Sequence, residues 1–160
     1  MKTFKEFMEA KQLPGTYAAT KPDGATARHF IRVMEKYGVP NIEDEEKLHC
    51  TLLYSRKHLP DYIPNPYLEH NARATHLEVW PTKSGANCLV LKIYSPEQEH
   101  RHEQLMFLHD AEYDYPEYKT HISLSYDIGD YDHTQLPIAE LKIPFKLTSE
   151  YHEPLDTTGK

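Results

Sequence analysis

The chain has 160 residues, 39% hydrophobic and 27% charged, which is enough apolar material for the core of one globular domain spanning 1–160. The 18 Lys and Arg against 25 Asp and Glu give a formal net charge of −7, which excludes the broad positive field that drives tight binding to long nucleic acids. Any phosphate ligand must therefore be small and held locally. Tyrosine is abundant, with 12 residues against 5 Phe, and this favours stacking surfaces with wet hydroxyls.

The cysteine content and the hydropathy pattern indicate the compartment. Cys50 and Cys88 form neither a disulfide framework nor a zinc-finger spacing, and each lies in an apolar run typical of a buried thiol. No stretch approaches the roughly 18 apolar residues needed to span a bilayer, and the N-terminal residues lack the apolar core of a signal peptide. We therefore expect a cytoplasmic protein with no membrane segment and no obligatory protein partner.

The first two predicted elements are helices. Residues 3–13 fit a short helix that begins with a capping box and ends before Pro14-Gly15. Asp23 is the predicted cap of a second helix, which ends at Gly38. The apolar positions of this second helix recur at helical spacing: Ala27, Phe30, Ile31 and Met34.

Strands are predicted in the middle of the chain. Period-two patterning indicates a strand over 47–55, and a hairpin is expected from strands 75–80 and 87–94 around a turn-forming cluster. Between these strands, three prolines within 56–73 indicate a surface loop.

The last part of the chain adds one helix and two strands. A capping box predicts a helix over 95–110, and a tyrosine-rich loop over 111–119 then leads into a strand over 120–126. A final strand is predicted near 140–148, where Pro144 indicates an edge or a bulge. Because strands and helices do not alternate strictly, we expect an α+β domain built on antiparallel sheet.

Two matching tetrads carry the functional signal: residues 49–52 read His-Cys-Thr-Leu and residues 121–124 read His-Ile-Ser-Leu, each inside a predicted strand. Side chains at i and i+2 share a strand face, so each tetrad places a histidine about 6–7 Å from a hydroxyl. These pairs are His49 with Thr51, and His121 with Ser123. Two such strands side by side would line a cleft.

The alternate residues of both strands are predicted to pack beneath helices, on the face away from the histidines. They are Cys50, Leu52 and Tyr54 on the first strand, and Ile122, Leu124 and Tyr126 on the second.

Two histidines on one cleft suit phosphoryl transfer, because one imidazole takes a proton from the attacking oxygen while the other gives one to the leaving oxygen. The hydroxyls hold the phosphate, and this chemistry requires no metal. A zinc site is the alternative, since His102 and His109 share roughly one face of the predicted helix 95–110. No Asp or Cys completes a familiar ligand spacing there, which favours a solvated polar face.

The paired tetrads resemble the signature of the 2H phosphoesterase superfamily, which implies a bilobed, pseudo-symmetric α+β fold with antiparallel sheets lining a central cleft. Within it, the order of elements is similar to that of the phage anti-CBASS cyclic-oligonucleotide phosphodiesterases: Pro14-Gly15-Thr16-Tyr17, a helix, the first tetrad, a tryptophan before a hairpin turn, then the second tetrad. The resemblance implies cleavage of 3′–5′ bonds in cyclic di- and trinucleotide immune signals. It implies no metal or other cofactor, and action in the cytoplasm of an infected bacterium.

The resemblance also implies residue roles. Its catalytic pair and phosphate-holding hydroxyls match the four tetrad residues: His49, His121, Thr51 and Ser123. Tyr17 and Trp80 match base-contacting aromatics, and Glu150 matches an acidic base contact. The ordinary alternatives are packing for the two aromatics and a solvated carboxylate for Glu150. The C-terminal residues 151–154 contain no tryptophan, so an aromatic contact there is either absent or falls to Tyr151.

Two other functions share these motifs. Some 2H enzymes act on RNA ends or on 2′,3′-cyclic phosphates, but they handle longer RNA with basic surfaces, and the acidic charge of this chain disfavours them. A non-enzymatic sponge that sequesters cyclic nucleotides is the alternative of a different class. Intact histidines in both tetrads disfavour it, because binding alone requires no acid–base pair.

Overall fold

The structure is a computed structural model that describes residues 13–113, 115 and 117–155. The helix predicted over 3–13 lies, apart from Leu13, outside the described residues. The described strands and α-helices are, in chain order, β1 (Gly15–Pro22), α1 (Gly24–Lys36), β2 (Cys50–Ser55), β3 (Glu69–Pro81), β4 (Asn87–Tyr94), α2 (Pro96–His109), β5 (His121–Ser125), α3 (Ile138–Leu141) and β6 (Pro144–Leu155).

All six strands belong to one antiparallel sheet with the order β2-β1-β6-β3-β4-β5. The predicted α+β class is confirmed. The two predicted sheets are halves of this one sheet, because β6 pairs with both β1 and β3 and so joins them.

Each half of the sheet has its own helix and apolar cluster. The larger cluster includes Phe30 and Met34 of α1, and the Phe30 ring meets Phe145 of β6 edge to face at 5.5 Å. The smaller cluster includes Leu105 of α2 packed with Leu52 of β2. The two halves thus correspond to the two predicted lobes.

Both long helices begin where the sequence predicts. The Asp23 carboxylate accepts a hydrogen bond from the backbone N–H of Thr26 at 3.0 Å, and this caps α1. The Ser95 hydroxyl accepts from the backbone N–H of Gln98 at 3.3 Å and caps α2, with Pro96 in its first turn. No helix within the described ranges is long and apolar enough to cross a membrane.

Two expectations about strands are wrong, and one strand was not predicted. The segment 56–73 is not a loop throughout, because β3 begins at Glu69, after the last of its prolines. Residues 15–22, for which no strand was predicted, form β1 in the interior of the sheet. The final strand runs over 144–155, not 140–148, and is also interior. Pro144 begins β6, where a missing N–H removes no ladder bond from the middle of the strand.

Candidate active site

The two end strands of the sheet, β2 and β5, come together although four strands separate them in the pairing order. Residues of β2 lie next to residues of β5. Just before β5, the Tyr118 hydroxyl donates to the carbonyl oxygen of Thr51 in β2 at 2.6 Å. The sheet therefore curves until the two tetrads face one cleft, as the sequence predicts.

Both tetrad histidines are fixed in the same manner. The Nδ1 of His49 lies 2.8 Å from the carbonyl oxygen of Lys47, and the Nδ1 of His121 lies 2.6 Å from that of Lys119. Because a carbonyl oxygen only accepts, these contacts assign a proton to each Nδ1. In the neutral ring, Nε2 then carries the free lone pair and is available for proton transfer.

The surroundings of His121 shift its pKa. Burial lowers the pKa of His121, and this effect outweighs the bond to Lys119, which raises it. The positive charge of Lys92 lowers the pKa of His121 further. The His121 ring is therefore neutral at pH 7 and suited to accept a proton.

Both hydroxyls of the tetrads are half-buried in a cavity of about 650 Å³. The Thr51 Oγ1 lies 2.9 Å from the Tyr17 hydroxyl, so Tyr17 orients it. Six of the seven predicted site residues line this cavity together: Tyr17, His49, Thr51, Trp80, His121 and Ser123. This arrangement places two proton-transfer groups, two hydrogen-bond donors and two aromatic rings around one space.

Each of the two aromatic rings contacts one tetrad histidine. The Tyr17 ring lies edge to face with His49, at 6.0 Å between centroids, and burial raises the pKa of its hydroxyl well above the usual value. The Trp80 ring lies 4.5 Å from the His121 ring at a tilt of 53°. The indole N–H of Trp80 donates to the Glu78 carboxylate at 2.7 Å, which fixes the ring.

The remaining predicted site residue, Glu150, is directed into a different cluster. Its buried carboxylate accepts from the Arg101 Nε at 2.7 Å, the Tyr62 hydroxyl at 2.7 Å and the backbone N–H of Asn65 at 3.2 Å. Burial raises the pKa of Glu150, but the bonds from Arg101 and Tyr62 outweigh it and hold the pKa below its usual value. A more open groove of about 900 Å³ includes Glu150 and Tyr151 and adjoins the histidine cleft through Tyr17.

The two tyrosines at the strand ends are not beneath helices, and that prediction is wrong. Tyr54 lines the cleft, and Tyr126 is 60% exposed. In β2 the register shifts so that Ala18 pairs with Leu53 and Ala19 pairs with Thr51, which makes Leu52 an extra residue. Such a bulge reverses the face on which every later residue lies.

A corresponding shift occurs in β5. Leu89 pairs with Ser125 and Val90 with Ser123, so Leu124 is the extra residue. Ser125 is consequently buried, and Tyr126 emerges at the surface.

Sequence reasoning also missed cleft residues on the segment before β5. They include Tyr113, Tyr115, Glu117 and Lys119. The density of tyrosines between 113 and 118 was the available signal, since a loop with so many rings beside a predicted active-site strand indicates a binding surface.

The alternative zinc pair does not come together with further ligands. His102 is buried, stacks on Tyr118 at 4.1 Å, and contacts the carbonyl of Leu52 through Nδ1 at 2.6 Å. His109 packs instead against the Tyr62 ring at 5.7 Å. Among the residues the structure describes, no group of three or more His, Cys, Asp and Glu has the arrangement of a metal site.

Comparisons with known proteins agree with this architecture. A family profile described as Anti-CBASS protein Acb1 matches residues 14–160. Curated proteins of that name include one from Enterobacteria phage T4, 35% identical over 97% of this chain and 94% of its own length. Another, from Vibrio phage KVP40, is 31% identical over 94% of this chain and 92% of its own length.

Two solved structures share the fold at low sequence identity. The crystal structure of E. coli LigT complexed with ATP superposes with a TM-score of 0.59 at 13% identity, over 92% of this chain and 91% of that one. TT0787 of Thermus thermophilus gives a TM-score of 0.53 at 15% identity, over 86% of this chain and 82% of that one. The profile spans both histidine tetrads and the relatives span nearly the whole chain, so the chain belongs to the Acb1 family of anti-CBASS proteins and has the 2H phosphoesterase fold.

Proposed function

We propose that this protein is a metal-independent phosphodiesterase that cleaves 3′–5′ bonds of cyclic di- and trinucleotide immune signals. Acting in the cytoplasm of an infected bacterium, it would remove the signals on which CBASS defence depends. The observation that carries the proposal is the matched anchoring of His49 and His121, which leaves two Nε2 atoms available on one cleft. Positioned acid–base groups of this kind contribute roughly 10²–10⁴-fold to a rate.

The substrate itself supplies the nucleophile in this mechanism. His121, whose pKa is lowered, is the general base: its Nε2 takes the proton of a ribose 2′-hydroxyl as that oxygen attacks the adjacent phosphorus. The bond from phosphorus to the 5′-oxygen breaks, and protonated His49 donates the Nε2 proton to the departing oxygen. The products are a free 5′-hydroxyl and a 2′,3′-cyclic phosphate on one opened chain.

Thr51 and Ser123 hold the phosphate. Their hydroxyls donate to its non-bridging oxygens, where negative charge builds as the new bond forms. If Thr51 accepts from the Tyr17 hydroxyl, with which it is in contact at 2.9 Å, its own proton is directed at the phosphate. Loss of either hydroxyl should therefore lower turnover more than affinity.

The aromatic rings of Trp80 and Tyr17 bind nucleobases, and such stacking contributes about 1–3 kcal/mol per base. Trp80 and Tyr17 occupy the two ends of the histidine pair, one ring beside each imidazole. Lys92 and Lys119 lie 5.9 and 5.6 Å from the centre of the Trp80 ring and supply positive charge locally in a chain of net charge −7. This local charge suits a compact phosphate ligand more than a long RNA.

The decisive test is product analysis by mass spectrometry after incubation with cyclic di- and trinucleotides, with and without excess EDTA. We expect ring opening in both conditions. His49→Ala and His121→Ala should each lower turnover by about 10²–10⁴-fold. His100→Ala is the matched control: this histidine is exposed on α2, and its loss should leave turnover unchanged. Near wild-type turnover by folded His49→Ala would contradict the assignment.

The same experiment separates the alternatives. A sponge would bind the cyclic nucleotides and return them intact. An RNA-end enzyme would leave them intact and open a linear RNA that carries a 2′,3′-cyclic phosphate. Loss of cleavage in EDTA, restored by zinc or manganese, would indicate a metal-activated water instead.

A further inference from the structure

Three tyrosines in the cleft have no role in the proposed mechanism. Tyr54 comes from the end of β2, and Tyr113 and Tyr115 come from the segment before β5; we call the three the tyrosine wall. Tyr115 is 58% exposed although it borders the cavity that holds the catalytic pair. Clustered exposed aromatic surface at the edge of a cavity is typical of a ligand contact.

The rings of the wall hold one another edge to face. Tyr54 and Tyr115 lie 6.3 Å apart at 62°, and Tyr115 and Tyr113 lie 5.4 Å apart at 64°. In this geometry the edge of one ring meets the face of the next, so the rings do not stack on one another in parallel. Ring surface thus remains for a planar ligand.

The wall is anchored at its inner end. Tyr113 packs against His102 at 4.9 Å, and His102 is buried and bonded to the carbonyl of Leu52. A binding surface held in this way loses little conformational freedom when a ligand arrives, which favours affinity.

The wall continues outward from the predicted base contact at Tyr17. The Tyr17 and Tyr54 rings meet edge to face at 6.2 Å, and Tyr115 lies one ring contact beyond Tyr54. Tyr17 and Trp80 are each beside one catalytic histidine, so they serve the two bases that flank the reacting phosphate. The tyrosine wall lies beside these two base positions, on the side of Tyr17.

We propose that the tyrosine wall is a further nucleobase subsite, which stacks the base of a cyclic trinucleotide that does not flank the reacting phosphate. The inference rests on the proposed function, since it assumes that a cyclic oligonucleotide occupies the cleft. A cyclic dinucleotide has only the two flanking bases and leaves this subsite empty. The tyrosine wall therefore affects the preference for cyclic trinucleotides over cyclic dinucleotides and not the chemistry of cleavage.

The test compares one variant on two substrates. Tyr115→Ala should raise KM for a cyclic trinucleotide about 5- to 150-fold, the equivalent of about 1–3 kcal/mol of stacking at about 1.4 kcal/mol per tenfold. Its KM for a cyclic dinucleotide should stay within about twofold, and kcat should be unchanged for both, because stacking stabilises ground and transition states alike. Tyr115→Phe keeps the ring and should behave as wild type. Tyr126→Ala removes an exposed tyrosine outside the cleft and is the matched control.

An equal rise in KM for both substrates would overturn the inference, as would no change for either. If the wild-type protein cleaves neither substrate, the proposed function fails, and the subsite is then tested by equilibrium binding of the same two ligands to the same variants. Selective loss of trinucleotide binding in Tyr115→Ala would support the subsite, and equal binding by wild type and variant would overturn it.

Discussion

The ion pair between Arg101 and Glu150 is buried, and this burial determines how much stability its removal should cost. The Glu150 side chain is fully buried and that of Arg101 is 20% exposed, and Arg101 reaches the carboxylate through Nε at 2.7 Å and Nη2 at 3.0 Å. Arg101→Ala would leave a buried carboxylate without its counter-ion, which costs about 3–5 kcal/mol. For a chain of this length each kcal/mol shifts Tm by about 2–4 °C, so Tm should fall by about 6–20 °C.

Thermal unfolding followed by circular dichroism at pH 7 measures this change. Arg101→Met combined with Glu150→Gln removes both charges and should recover much of the loss, because a neutral amide oxygen still accepts from Tyr62 and Asn65. Glu153→Gln is the control, since this exposed residue lies on the same strand and should shift stability by no more than about 0.5 kcal/mol.

The pH dependence of the wild-type protein has a definite sign. The pKa of Glu150 is held below its usual value, so its contribution to stability is complete above an unfolded pKa of about 4.3 and is lost as pH falls through the folded value. The difference in Tm between wild type and the double variant should therefore narrow on acidification below about pH 4.

Measuring both Tm and KM for Glu150→Gln decides the role of Glu150. If its carboxylate supports the fold, Glu150→Gln lowers Tm and leaves KM for cyclic nucleotides nearly unchanged. A raised KM with an unaltered Tm would refute this reasoning and establish Glu150 as the base contact that the family resemblance implies. A Tm for Arg101→Ala within about 1 °C of wild type would refute the magnitude derived from burial.

Three further predictions concern the two tetrad histidines and the proposed mechanism. Trp80 is the only tryptophan in the chain, and its ring lies 4.5 Å from the His121 ring, so its fluorescence emission should be quenched as His121 protonates. The midpoint of this quenching should lie below pH 6.5, and the transition should be lost in His121→Ala. A midpoint above pH 6.5 would contradict the lowered pKa of His121. If His121 is the general base, kcat/KM should decrease on acidification with the same midpoint as the fluorescence change. A cyclic dinucleotide with 2′-deoxyriboses should bind comparably yet resist cleavage, and its rapid hydrolysis would require water as the nucleophile.

Local sequence signals account for much of the fold and of the site. Caps at Asp23 and Ser95 are short-range features, and both helices begin where those residues predict. Period-two alternation correctly put His49 with Thr51 on one cleft because the β2 bulge comes after them. Pairing order is not local: β6 lies inside the sheet because it joins β1 to β3, and nothing within residues 144–155 specifies those neighbours.

The errors at Tyr54 and Tyr126 have one common cause, and it bears on how the two halves differ. Both bulges fall on the fourth residue of a tetrad, Leu52 in β2 and Leu124 in β5, so the halves share a local geometry down to the extra residue. Because each bulge depends on the partner strand, the tetrad sequence alone could not predict it. The same reversal sends Tyr54 into the cleft but leaves Tyr126 exposed, with its hydroxyl 3.4 Å from Asn41. The two tetrads thus share one backbone geometry, while the tyrosines that follow them have different surroundings.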